Sequence, residues 1–204
     1  MKKILVAVAL FVTTLTMAQD MDLVKGGDLS FLKGVKEVNV EFDYSKLTLM
    51  KEKKSEATYI QERAEDLNKK SRGNGDNWKK KWEGAKDGIW QPKFIELVNV
   101  VMNKDDKDIM FQEGLASAKY TLIAEVAWIF PGWDASVMKQ PAKVSMNLKF
   151  VETANKSKVL AEITSEEAPG DQWGSQFSNE SRIGEGFAKT GKSLAKFLLK
   201  KVLK

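Results

Sequence analysis

The chain has 204 residues, with 33 Lys and Arg against 28 Asp and Glu, and it contains neither His nor Cys. Without His there is no Ser-His-Asp triad and no imidazole metal ligand; without Cys there is no thiol nucleophile, disulfide, thiolate zinc site or lipid-modified cysteine. A hydrophobic fraction of 43% beside a charged fraction of 30% excludes intrinsic disorder and describes a folded domain.

Residues 1–19 open with Lys2 and Lys3, continue through an apolar run at 4–12, and end in small or polar residues at Ala18 and Gln19. This is the layout of a secretory signal peptide, and the run is too short for the ~20 residues of a membrane span. The sequence therefore predicts a periplasmic or secreted protein. Residues 20–204 would form a single domain, long enough for one core without disulfides. Losing the leader removes two lysines and no acids, leaving a net charge of +3. Residues 185–204 carry six lysines and one glutamate, so the basic balance belongs to the C-terminal segment and the remaining body is slightly acidic.

Alternation of Val38, Val40, Phe42 and Tyr44 with Asn39, Glu41 and Asp43 predicts a strand over residues 36–44. Residues 55–70 carry Ile60, Ala64 and Leu67 at helical spacing, and a break at Gly73-Asn74-Gly75 follows. A second helix places Trp78, Trp82, Ala85 and Ile89 on one stripe. An interruption at Trp90-Gln91-Pro92 puts Pro92 in the first turn of a third helix, which repeats Phe94, Leu97, Val98 and Val101. Strict alternation then predicts strands over residues 119–130 and 143–151, the latter pairing as a hairpin with Val159, Ala161 and Ile163. Residues 182–204 read as an amphipathic helix, with Ile183, Phe187, Leu194, Phe197, Leu198 and Val202 on one side and lysines opposite. Gly184, Gly186 and Gly191 weaken its first half, placing its firm start near Ser193. The predicted fold class is α+β: about four strands in a largely antiparallel sheet with helices packed on it, in the order β-α-α-α-β-β-β-α.

Gly186 to Ser193 match the P-loop pattern G-x-x-x-x-G-K-[ST]. The chemistry needs a strand before the loop and further strands after it, and neither is legible. Asp105, Asp106 and Asp108 have calcium-type oxygens, but an EF-hand begun at Asp106 would put Phe111 where Gly is required and Ser117 where Glu is required. Adjacent Glu166 and Glu167 would point to opposite faces of a strand. Glu125, if enclosed, would have a raised pKa. No catalytic, cofactor or metal site emerges. Trp78, Trp82 and Trp128 read as core, whereas Trp90, Trp133 and Trp173 fall at breaks or in loops, where an exposed ring can meet a partner.

Ala118-Lys119-Tyr120-Thr121-Leu122 resembles the Ala-Asp-Tyr-hydrophobic strand start of a group of bacterial envelope proteins: the penicillin-binding-protein activator and curli-assembly lipoproteins with related TolB amino-terminal domains. Val151-Glu152-Thr153 and Lys158-Val159-Leu160 resemble the hairpin of that group, although its lipid-anchor cysteine and hairpin glycine are absent here. The resemblance spans residues 35–204 and implies a non-catalytic accessory or assembly role. The expected function is thus an exported envelope accessory protein acting through protein–protein contacts. Trp133, Trp173, Lys189, Lys192, Lys196 and Lys200 are the candidate contacts. A glycan or small-ligand module using the loop tryptophans is the alternative. The partners implied are an envelope protein, or a glycan or small ligand; the C-terminal helix adds possible peripheral contact with a membrane. Nucleic acid is not expected as a partner of an exported protein.

Overall fold

Two long alternating segments dominate the chain, and each forms a strand with one buried face. A computed structural model describes residues 21–134, 139–170 and 178–203; the expected leader and Trp173 lie outside them. The alternating segments are β6 (Tyr120–Phe130) and β9 (Ala142–Glu152), paired antiparallel from Tyr120 opposite Glu152 to Phe130 opposite Lys143. The expected hairpin exists: β9 turns into β10 (Asn155–Gly170), with Ile163 opposite Leu148. Along β9 burial alternates residue by residue from Ala142 to Phe150, so one face packs on the core and the other reaches solvent.

The expected four-stranded, largely antiparallel sheet is not what forms. The described residues make an eight-stranded mixed sheet. Strand β1 (Met21–Lys25) adds antiparallel to β10 at one edge. On the other side of β6 lies β2 (Glu37–Asp43), parallel to β6 and to the edge strand β5 (Met110–Glu113). Two-residue strands β3 (Thr48–Leu49) and β4 (Lys54–Ser55) extend this region, β3 running parallel to β6 beyond β2. A separate hairpin joins β7 (Trp133–Asp134) to β8 (Lys139–Gln140). These added strands have two to five residues, too few for a period-two pattern to declare itself. Strand direction leaves no hydrophobic signature either. The helical crossover between β2 and β5 makes them parallel.

That crossover contains α1 (Glu56–Lys70), α2 (Asn74–Ala85) and α3 (Gln91–Lys104). Ser55 caps α1 by accepting from the Thr58 N–H. No break separates α2 from α3. Residues Lys86–Trp90 form a π turn, in which Gln91 N–H donates to the Lys86 carbonyl, and the helix continues past Pro92. A widened turn accommodates a residue that cannot donate. After β5, a short connector crosses to β6 and is held by Asn39, whose Oδ1 accepts from Leu115 N–H at 3.0 Å. Asn39 is consequently buried, although the alternation put it on the polar face.

The last helix, α4 (Asn179–Lys201), is continuous through its glycines. Ile183, Phe187, Leu194 and Leu198 are fully buried against β9, β10 and α3. The early start follows from packing, which overrides propensity. A Cβ at Gly191 would stand 2.2 Å from the Phe94 carbonyl oxygen, and one at Gly186 would stand 2.6 Å from Val144 Cγ2. Those glycines are where α4 touches its neighbours. The P-loop match therefore lies in the middle of a helix, with no loop to cradle a phosphate. Trp82 and Trp90 are fully buried, in a run of ring contacts from Tyr59 through Trp82 and Trp90 to Phe187. Among the described residues no helix is long and apolar enough to cross a membrane.

Candidate functional site

Local strain and exposed aromatics converge at one end of the sheet. Between β3 and β4 the chain turns through Met50 and Lys53, both left-handed, with φ of 65° and 52°. Two bonds lock this turn onto β6: Met50 N–H donates to the Ile129 carbonyl at 3.1 Å, and Trp128 Nε1–H donates to the Met50 carbonyl at 2.7 Å. Beyond Phe130 the chain passes Gly132, whose φ is 68° and where a Cβ would lie 2.4 Å from the Gln140 carbonyl oxygen. Trp133 follows, 42% exposed, its Nε1–H fixed by Gln140 Oε1 at 3.0 Å. Ser178 caps α4 by accepting from Ser181 N–H, which sets Asn179 and Arg182 on the first turn.

A cleft of about 490 Å3 lies between this end of β6, α1 and the first turn of α4. Tyr59, Arg63, Trp133 and Arg182 line it, with the Lys54–Glu62 ion pair beside them. The chain has only three arginines among its 33 basic residues, and two of them are here. Arg182 is bonded to Asn179 Oδ1, and the Nε–H of Arg63 is buried with no acceptor among the described residues. Burial pushes the Tyr59 hydroxyl pKa up, against the pull of the Arg63 charge. Tyr59 is therefore a neutral donor near neutral pH.

A second cleft of about 490 Å3 abuts the first. Its floor is the stacked pair Trp128 and Phe130, with centroids 6.3 Å apart and planes at 18°. Lys51, Lys53, Lys143, Glu166 and Glu167 surround it. Glu166 and Glu167 do not diverge to opposite faces as a regular strand requires. A bulge in β10 between Ser165 and Ala168, with φ of 50° at Glu167, brings both to this cleft. Glu167 pairs with Lys143, and its N–H donates to Ser145 Oγ. Phe130 lines both clefts, and the Trp133–Gln140 bond joins a residue of one to a residue of the other. Met50, Lys53 and Glu167 are three of the four left-handed non-glycine residues described. Such strain persists only where surrounding structure over-determines it, and it concentrates at binding sites.

Of the sequence-predicted contacts among the described residues, only Trp133 belongs to this end; Trp173 lies outside them. Lys192, Lys196 and Lys200 are exposed at four-residue intervals on α4, about 15–27 Å along the helix from Arg182. Lys189 is half-buried; desolvation, then the charges of Lys192 and Lys196, lower its pKa. Ile183, Phe187, Leu194 and Leu198 of the apolar face of α4 are taken up by the core, which leaves the lysine row, with half-buried Phe197 and Leu199, to meet a membrane. Trp90, read as a break residue, is core, and its Nε1–H donates to the Glu180 carbonyl. Asp108 pairs with Lys36. Sequence reading missed Arg63 and Arg182, although the scarcity of Arg in so Lys-rich a chain was the available signal.

Glu125 stands apart, on the open face of the sheet. It is 6% exposed, yet its pKa is not raised. Desolvation alone would lift it, but hydrogen bonds from Asn147, Lys149 and Lys46 at 2.9, 2.9 and 3.0 Å outweigh burial and hold the carboxyl down to about 2. It is a permanent anion, poorly suited to give or take a proton at neutral pH.

No protein-family model and no curated protein matches the chain. Among solved structures it is similar to the PelC dodecamer from Paraburkholderia phytofirmans, at 13% identity and a TM-score of 0.37, over 85% of this chain and 97% of that one. A single-substitution variant of that PelC dodecamer aligns at 11% identity and a TM-score of 0.34, over 87% and 98%.

Proposed function

We propose that this protein is an exported accessory of the cell envelope that works by binding, and that its contact surface is the aromatic end of the sheet. The observation that carries the reading is the pair of adjoining clefts, where the exposed Trp133 stands beside half-buried Arg63 and buried Arg182, with strained turns at Met50, Lys53 and Glu167 around them. Rigid positioning of aromatic and guanidinium groups is the usual make-up of binding hot spots. The resemblance of the sequence to envelope assembly proteins points the same way. Photo-crosslinking in intact cells tests it. A photoreactive residue at position 133 is expected to give a discrete adduct, which Arg63→Gln suppresses, while one at position 147 on the open face gives none. Equal labelling from both positions, or none from position 133, would refute the reading.

A second reading is supported by the lysine row. Lys192, Lys196 and Lys200 form a cationic stripe on a rigid helix, suited to an acidic protein partner. Changing all three to Glu is expected to abolish partner recovery from envelope extracts without altering the melting temperature. Unchanged recovery excludes the stripe.

A further inference from the structure

We infer that the two clefts are adjoining subsites of one groove for an extended acidic glycan, a sugar chain carrying carboxylates along its length. This rests on the aromatic end being the contact surface. Continuity is the first argument: Phe130 walls both clefts, and the Trp133–Gln140 hydrogen bond ties their rims. Each cleft has the volume of a small-ligand site, so together they accommodate a chain rather than a single ring.

Charge is the second argument. Six cationic side chains line the two clefts against four carboxylates. Two of those carboxylates, Glu62 and Glu167, pair with two of those cations, Lys54 and Lys143, so the lining keeps a net charge of +2, six cations less four carboxylates. Arg63 and Arg182 line the first cleft, and guanidinium with carboxylate is the favoured planar pairing.

The third argument separates a glycan from an acidic polypeptide. Each cleft offers an aromatic ring, the exposed Trp133 in one and the half-buried Trp128, backed by buried Phe130, in the other. A pyranose lays its flat C–H face on such a ring while its carboxylate reaches a cation at the edge. An extended acidic peptide has no comparable flat face.

Calorimetric titration of the full chain with digalacturonate and hexagalacturonate at low salt tests the inference, with maltohexaose as the neutral control and hexaglutamate as the peptide control. The hexamer is expected to bind about tenfold or more tightly than the dimer, because the second subsite is engaged intramolecularly. Maltohexaose and hexaglutamate are expected to bind at least about tenfold more weakly than hexagalacturonate. Trp133→Ala in the first cleft and Lys51→Glu in the second each lower hexamer affinity about fivefold or more while leaving the melting temperature unchanged; both residues are exposed. Affinity independent of length overturns the two-subsite groove. Equal binding of maltohexaose or of hexaglutamate overturns the acidic-glycan class. No binding of any oligomer, with the position-133 adduct still formed in cells, rejects the glycan while leaving the contact surface in place.

Discussion

Glu125 shows how a single side chain is decided by its neighbours. Its two oxygens accept from Asn147, Lys149 and Lys46, so the folded pKa lies near 2, below an ordinary 4.5. A depressed carboxylate stabilises the fold above its unfolded pKa, and that stability disappears as pH falls through the folded value. The shift is worth at most about 3 kcal/mol at neutral pH. Glu125→Gln is expected to cost about 1–3 kcal/mol in urea unfolding at pH 7, since Lys149 is left half-buried without its counter-charge. The gap between the two proteins should close as pH falls from about 4.5 towards 2. A constant gap across that range would show that packing rather than charge is lost. Alternation correctly put Glu125 on the polar face. Its three partners were not legible, because Lys46 is 79 residues away and the two others are 22 and 24.

Among the elements, the helices reveal most about what a sequence can and cannot announce. The stripe of α4 reads directly from Ile183 to Leu198, yet its glycines read as weakness when they are contact points. Two substitutions with opposite expected signs make the distinction measurable. Gly191→Ala gains about 1 kcal/mol of helix propensity but drives a Cβ to 2.2 Å from the Phe94 carbonyl oxygen, a backbone atom that cannot swing aside. The net expectation is a loss of about 1–3 kcal/mol. Gly84 lies in α2 with nothing near its missing Cβ, so Gly84→Ala should raise stability by about 0.5–1 kcal/mol. Equal effects in thermal or urea melts would show that propensity alone governs both. The same contrast holds among strands. Eleven alternating residues identify β6 and β9, whereas the turns at Met50 and Lys53 and the bulge at Glu167, which shape the candidate site, follow from long-range contacts and carry no local motif.

For the whole molecule, α4 is the lid of the core. Its large fully buried apolar side chains, Ile183, Phe187, Leu194 and Leu198, contribute roughly 6–12 kcal/mol of gross burial. That is comparable to the entire net stability of a domain. A chain ending at Gly170 is therefore expected to lose its cooperative urea transition and to bind a hydrophobic dye; a retained sigmoidal transition would contradict this account. Topology adds a consequence in time. Among the described residues strand β1 pairs with β10 alone, Met21 against Ser165, and the helix that covers the core is made after both. At about 5–20 residues per second of synthesis, the first strand waits on the order of 10 s for its partner. Until then the nascent chain has a sheet it cannot close, and it stays open to whatever receives it from the ribosome.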